Sequence, residues 1–355
     1  METSSSLIGD RWNGHVDKSD FAFCEKALER VSRTFALNIG TLRGHVYKGV
    51  LLAYLLCRIA DTVEDDDQFP PRFKIEKLLQ YSRLFPPLPD YGDRIAAFLD
   101  NIIFPQATDC AVLLKNVERV FNEFVKLPRG IIDVVSHHVK EMALGMASFQ
   151  EKCIGNEEVI FLKDQADLER YCYYVAGTVG LMLTAIFSWG SKRITPSIQE
   201  NLQQRSVAFG LGLQLTNIVK DFSGDRQRGW CYIPRCFFAE SGIDPLKDRP
   251  IDHVEAFLSV QKRVTTIALG YLDEALYYTL AIPRTLIRYR LFCLWPLFMA
   301  VETLAKLCGN RRLLEGQVIK ISRHDARRIM RNTSLAVMSN CTIARMYQAA
   351  KSRIG

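Results

Sequence analysis

Two stretches of this chain run from apolar sequence straight into carboxylates, with helical spacing both times. In the first, Val50-Leu51-Leu52-Ala53-Tyr54-Leu55-Leu56 leads without Gly or Pro into Cys57-Arg58-Ile59-Ala60-Asp61-Thr62-Val63-Glu64-Asp65-Asp66-Asp67. On a helix Asp61 and Asp65 share a face, Glu64 stands beside them, and Arg58 lies one turn upstream. In the second, Phe209 to Leu215 leads into Asn217, Asp221 and Asp225, each four residues after the last. Acids packed this closely repel one another, and a divalent cation relieves the repulsion. All-oxygen ligands suit Mg²⁺, which keeps several waters and takes phosphate oxygens as further ligands. A solvated acidic helix end accounts for either block alone. The pair predicts two aspartate-bearing helices that face each other and cage Mg²⁺ around a diphosphate.

The rest of the chain sets the class. At 355 residues, 48% hydrophobic and 24% charged, it can bury a large core. A net charge of +7 suits phosphorylated substrates or anionic head groups, but the basic residues are scattered, which disfavours nucleic acid. The ten cysteines show no CxxC pair and no metal-ligand spacing with His, and read as reduced, mostly buried thiols of an intracellular protein. Met1-Glu2-Thr3-Ser4-Ser5-Ser6 does not read as a signal peptide. Leu291 to Val301 is too short to span a bilayer and contains Pro296. We therefore expect a cytoplasmic monomer with no transmembrane helix, touching a membrane only peripherally if at all.

Periodicity predicts helices nearly throughout, hence an all-α fold. Residues 20–39 form one predicted helix, with Phe21, Cys24, Ala27, Leu28, Val31 and Phe35 on its apolar face and Ser32-Arg33-Thr34 within it. Arg33 there is either a surface ion-pair partner or a diphosphate ligand. A short helix fits between Pro70-Pro71 and Pro86-Pro87, and further helices fit 93–103, 110–127, 130–149, 254–281 and 284–308. Only the region after Gly155 hints at a strand. Residues 168–189 are apolar all round and predict a central buried helix. Its Ala176, Gly177 and Gly180 either pack closely on another helix or leave room for a long apolar ligand. Tyr171 or Tyr174 is either a satisfied buried phenol or a catalytic one. Arg226 to Pro234 reads as a basic loop whose Arg226 and Arg228 meet phosphate or neutralise the nearby aspartates. Phe292 to Ala300 is plain core or the wall of a deep pocket, and the tail from Val318 is basic. With no repeat or linker in view, we take 1–355 as one domain, with 1–18 flexible and 332–355 a tail helix.

Four of these blocks together resemble the squalene and phytoene synthases: Ser32-Arg33-Thr34-Phe35, the Asp61 block, the Tyr171 block, and Asn217 to Asp225. That resemblance implies an all-α isoprenoid synthase bundle around a central apolar cavity, joining two prenyl diphosphates head to head. It implies that Asp61, Glu64, Asp65, Asn217, Asp221 and Asp225 hold Mg²⁺ (or Mn²⁺), and that Ser32, Arg33, Arg58, Lys220 and Arg228 meet diphosphate. Tyr171 matches a tyrosine that handles protons or carbocations. In the squalene-synthase branch, two farnesyl diphosphates give presqualene diphosphate, which NADPH reduces to squalene. Lys320 and Arg323, with Asn217, are the cofactor-binding candidates. The first acidic block and Phe292 to Ala300 look squalene-type, whereas Tyr171 to Met182 and Arg228 to Pro234 look closer to phytoene and bacterial C30 carotenoid synthases. Lys220 departs from the family's arginine, Gly224 from an acid, and Ser322 from a basic residue of the cofactor stretch. The alternatives are a phytoene or dehydrosqualene synthase without NADPH, or a non-catalytic relative acting as an assembly factor.

Overall fold

The computed structural model describes residues 19–354 apart from 105, 107 and 156–158. The expectations for 1–18 and for Met1 to Ser6 lie outside them. The fold is all-α, and by residue contacts the chain divides into two compact units that meet in sequence at Glu151 and Lys152.

The first unit holds α1 (Asp20–Val31), α2 (Arg33–Ile39), α3 (Gly44–Asp65), α4 (Pro71–Ser82), α5 (Tyr91–Leu99), α6 (Asp109–Lys115), α7 (Val117–Phe124) and α8 (Arg129–Gln150). Its centre is α3, which packs on α1, α4, α6, α7 and α8. Leu51, Leu52, Leu55, Leu56 and Ile59 of α3 are fully buried, each contributing about 1.5–3 kcal/mol of transfer free energy. Tyr81 of α4 donates to the Leu56 carbonyl at 2.8 Å and packs on Phe85 and Phe98, tying α4 and α5 to this core.

The single helix expected over 20–39 is two. Ser32 is extended (φ −160°, ψ 100°), ends α1, and caps α2 by accepting from the Phe35 amide at 3.3 Å. Serine competes with helical hydrogen bonding through its side chain and favours caps, a choice that apolar periodicity does not register. The 110–127 helix likewise breaks at Asn116, whose side-chain amide turns back to the Val112 carbonyl at 2.9 Å.

The second unit holds β1 (Ile160–Phe161), α9 (Gln165–Cys172), a π-helical turn (Tyr173–Gly177), α10 (Thr178–Gly190), α11 (Pro196–Gln227), β2 (Trp230–Cys231), α12 (Arg235–Glu240), α13 (Val254–Ala281), α14 (Ile287–Leu307), α15 (Arg323–Ala336) and α16 (Asn340–Lys351). The helix α11 is its axis and packs most extensively on α13. The strand hint after Gly155 is β1, which pairs in parallel with β2, so the expected basic loop carries a strand. The tail forms two helices, tied to buried Glu302 of α14 by Arg353 at 2.6 Å and Arg328 at 3.5 Å.

The central helix expected over 168–189 differs in two ways. A π turn interrupts it, and one side is only half-buried, including Tyr173, Tyr174, Val175, Val179 and Leu181. A π turn inserts one extra residue and rotates the faces on either side of it relative to each other. Among the described residues, Gln165–Gly190 is long and apolar enough to cross a membrane by length and composition, with an 18-residue window of mean hydropathy 1.4, a pattern that a core helix also gives. Helix packing gives that apolarity a use. A β-carbon on Gly180 would overlap the Ser206 carbonyl of α11, and one on Gly210 of α11 would overlap the Ala176 carbonyl. The small residues therefore serve backbone-to-backbone approach, and α11 occupies the space beside them.

Candidate active site

The acids of the first unit occupy the last turn of α3. The negative end of the helix dipole adds to their mutual repulsion there, so the position favours a cation. Glu64 is 6% exposed, Asp61 is half-buried and Asp65 is exposed. Burial, aggravated by Asp65, raises the Asp61 carboxyl to about 6 despite Arg58, whose Nη1 lies 3.6 Å from Oδ2. Burial together with Asp65 and Asp61 raises Glu64 to about 8. These are acids held against their own charge, and an all-oxygen set of this kind fits Mg²⁺. Arg58 is braced by the Tyr54 hydroxyl, to which its Nη2 donates at 3.2 Å.

Two members of this site went unread in the sequence. Lys74 of α4 is 8% exposed, donates to the Glu64 carbonyl at 2.6 Å and lowers the Glu64 carboxyl, while the Gln150 side chain hydrogen-bonds Glu64. Lys74 did leave a signal. It shares the i, i+4, i+7 stripe of Leu78 and Tyr81, a cation on an apolar face. Gln150 left none.

The second acid set occupies the last three turns of α11, again at a helix C-terminus. Asn217 is exposed, Asp221 half-buried and Asp225 6% exposed. Lys220 Nζ lies 3.0 Å from Asn217 Oδ1 and 3.2 Å from Asp221 Oδ2. Arg228 Nη2 lies 2.5 Å from Asp225 Oδ1. Lys220 thus bridges Asn217 and Asp221, and Arg228 neutralises its neighbouring aspartate. Arg226 is committed elsewhere, donating to the Pro245 carbonyl at 2.6 Å and lying over Phe222. Gly224 is exposed and a β-carbon there would meet nothing.

Gly229, at φ +84°, turns the chain out of α11 into β2, and its carbonyl accepts from the Ile160 amide at 2.9 Å. That turn delivers Tyr232 to Tyr171. The rings stack at 4.3 Å and 18°, with Trp230 also stacked on Tyr232 at 5.3 Å. Tyr171 is 5% exposed. Of the other expected ligands, Ser32 and Arg33 stand at the start of α2, with Arg33 exposed.

Lys320 and Arg323 are exposed, in the segment before α15 and in its first turn. Between them Ser322 forms a capping box with Asp325. Ser322 is thus occupied locally as a helix cap. Phe292 to Ala300 is largely core. Trp295 and Pro296 are half-buried, and the Trp295 indole nitrogen is buried without a hydrogen bond.

Each unit of this all-α chain thus carries an acid set toward the C-terminus of a helix. The family model for squalene/phytoene synthase matches residues 28–325, and the chain belongs to that family. It is 28% identical over 314 residues to the squalene synthase of Mus musculus, covering 88% of this chain and 69% of that one. With the squalene synthase of Eremothecium gossypii the identity is 30% over 297 residues, covering 83% and 64%. Among solved structures, TcSQS with the ligand BPH1237 matches at a TM-score of 0.75, with 23% identity and coverage of 94% and 98%. A dehydrosqualene synthase in complex with ligand matches at 0.60, with 21% identity and coverage of 93% and 99%. These two likenesses speak to the fold.

Proposed function

We propose that the chain is a squalene synthase: it joins two farnesyl diphosphates to presqualene diphosphate and reduces that with NADPH to squalene. The observation that carries this reading is the identity of 28% and 30% to squalene synthases across most of the chain. Both acid sets take part in this one reaction. Bound Mg²⁺ would neutralise the diphosphate as it departs and leaves an allylic cation.

This chain's residues have the complementary tasks. Asp61, Glu64 and Asp65 on one helix, and Asn217, Asp221 and Asp225 on the other, supply oxygen ligands. Arg58, Lys220 and Arg228, with Ser32 and Arg33, meet diphosphate oxygens, exchanging carboxylate partners for phosphate. The double bond of the second prenyl chain attacks the cation, and loss of one proton closes the cyclopropane. Tyr171, held flat by Tyr232, is the candidate to take that proton or to stabilise the cation. NADPH would supply hydride in the second step, as the remaining diphosphate leaves. Lys320 and Arg323 are the groups suited to its phosphates, and Asn217 is a further candidate contact. The setting is cytoplasmic or at a membrane surface, with the protein a monomer.

A second reading, dehydrosqualene synthesis without NADPH, draws on Ser322. Its hydroxyl is spent on a helix cap where a cation would favour the cofactor. The deciding experiment incubates the purified chain with farnesyl diphosphate and Mg²⁺, with and without NADPH, and identifies the extracted lipids. Squalene formed only with NADPH supports the first reading. Dehydrosqualene or presqualene diphosphate formed regardless of NADPH overturns it in favour of the second. Asp61→Asn and Asp221→Asn should each abolish turnover and keep the helical circular dichroism, and near-normal activity in either removes that residue from the metal set.

A further inference from the structure

We propose that His137, His138 and Glu141, on α8, form a binding site for a divalent transition-metal ion of the zinc class. Each residue offers one ligand atom, and the three atoms lie within 4.8 Å of one another. Glu141 is four residues from His137 and three from His138, so one turn of helix presents all three together. The two imidazoles meet edge to face, with centroids 4.8 Å apart and planes at 78°.

The His138 side argues for an ion rather than a plain polar cluster. Its Nδ1 is buried, and its partner there, Oε2 of Glu141, stands 3.5 Å away. That is long for a hydrogen bond. It is close to the ~3.3 Å that separates two ligands bound tetrahedrally to one ion at about 2.0–2.1 Å. His137 is exposed, which leaves water to complete the coordination.

Two imidazoles and a carboxylate favour Zn²⁺, Ni²⁺ or Cu²⁺ over Mg²⁺, whose ligands are oxygens. The site is also separate from the acids of α3. Gln150, which hydrogen-bonds Glu64, lies nine residues beyond Glu141 and thirteen beyond His137 along α8, roughly 14–20 Å away at about 1.5 Å per residue. An ion here would staple the middle of α8 and stabilise the folded chain in proportion to its occupancy.

The test uses the full chain, free of any histidine tag and stripped of metal, titrated with Co²⁺. One ion per chain should bind with the visible absorption of a nitrogen- and oxygen-ligated centre, be displaced by Zn²⁺, and survive excess Mg²⁺. His137→Ala, at an exposed position, and Glu141→Gln should each weaken binding by about tenfold or more, with unchanged thermal unfolding in the metal-free state. Unaltered Co²⁺ affinity in His137→Ala overturns the proposal even if Glu141→Gln fails to fold. Displacement by Mg²⁺ overturns it too, as does a thiolate charge-transfer band that places the ion on a cysteine.

Discussion

Tyr171 lies flat on Tyr232, ring centroids 4.3 Å apart and planes 18° from parallel. Because Tyr232 reaches Tyr171 only through the Gly229 turn and the short β1–β2 pair, the second acid set and the candidate catalytic phenol are joined by one continuous segment. Tyr171→Phe keeps the stack and removes only the hydroxyl. If the phenol handles a proton or a cation, kcat should fall about 10²-fold or more, with KM for farnesyl diphosphate little changed. Tyr232→Leu should keep the hydroxyl and lose the stack, giving a smaller drop in kcat. Full activity in Tyr171→Phe would leave the tyrosine as packing alone.

The glycines of the second unit divide by what stands against them. Gly180 and Gly210 abut opposing backbone carbonyls, which cannot move aside as a flexible side chain can. Gly180→Ala or Gly210→Ala should push α10 and α11 apart and cost about 1–3 kcal/mol or more, read as a lower midpoint in urea. Gly270, exposed on α13 with nothing near it, should respond oppositely. Gly270→Ala should stabilise by roughly 0.5–1 kcal/mol, because only the unfolded chain loses freedom.

What was legible in the sequence was the part carried by local spacing. The apolar stripes of α1, α8, α13 and α14 and both acid sets recur at helical intervals, and those elements stand where the stripes place them. Three features depend on something else. Ser32 breaks a helix because its hydroxyl caps the next one, a local competition that an apolar stripe hides. The π turn at Tyr173–Gly177 adds a residue without altering composition. The Tyr171–Tyr232 stack and the Gln150–Glu64 bond join residues distant in the chain, and a single sequence holds no periodicity that links them.

Crowding at the end of α3 gives the metal-free protein a pH dependence of defined sign. Glu64 is raised from its ordinary 4.5 to about 8, and Asp61 from 3.8 to about 6. Between those values the folded chain keeps protons that the unfolded chain has released, so stability falls as pH rises. The urea midpoint of the metal-free chain should therefore decline from pH 5 to pH 8. Glu64→Gln, which has no charge to develop, should flatten the upper part of that decline. Saturating Mg²⁺ should restore stability at pH 8, because the cation binds the ionised acids that the decline reports. A midpoint indifferent to Mg²⁺ at pH 8 would remove these carboxylates from the metal assignment.

Ser322 is committed to a helix cap. As the cap of α15 it accepts from the Asp325 amide at 3.0 Å and donates to Asp325 Oδ2 at 2.7 Å. Lys306 also donates to that oxygen at 2.6 Å, and these partners hold the Asp325 carboxyl well below its ordinary range. Ser322→Ala should cost about 1 kcal/mol of stability and leave KM for NADPH unchanged. Ser322→Lys pays the same loss of the cap but adds a cation beside Lys320 and Arg323. If this segment meets the cofactor phosphates, KM for NADPH should fall several-fold in that variant even as its unfolding midpoint drops. Lys320→Ala and Arg323→Ala should raise KM while leaving the NADPH-independent condensation untouched. A KM indifferent to all three charge changes would assign the segment to holding α15 in place.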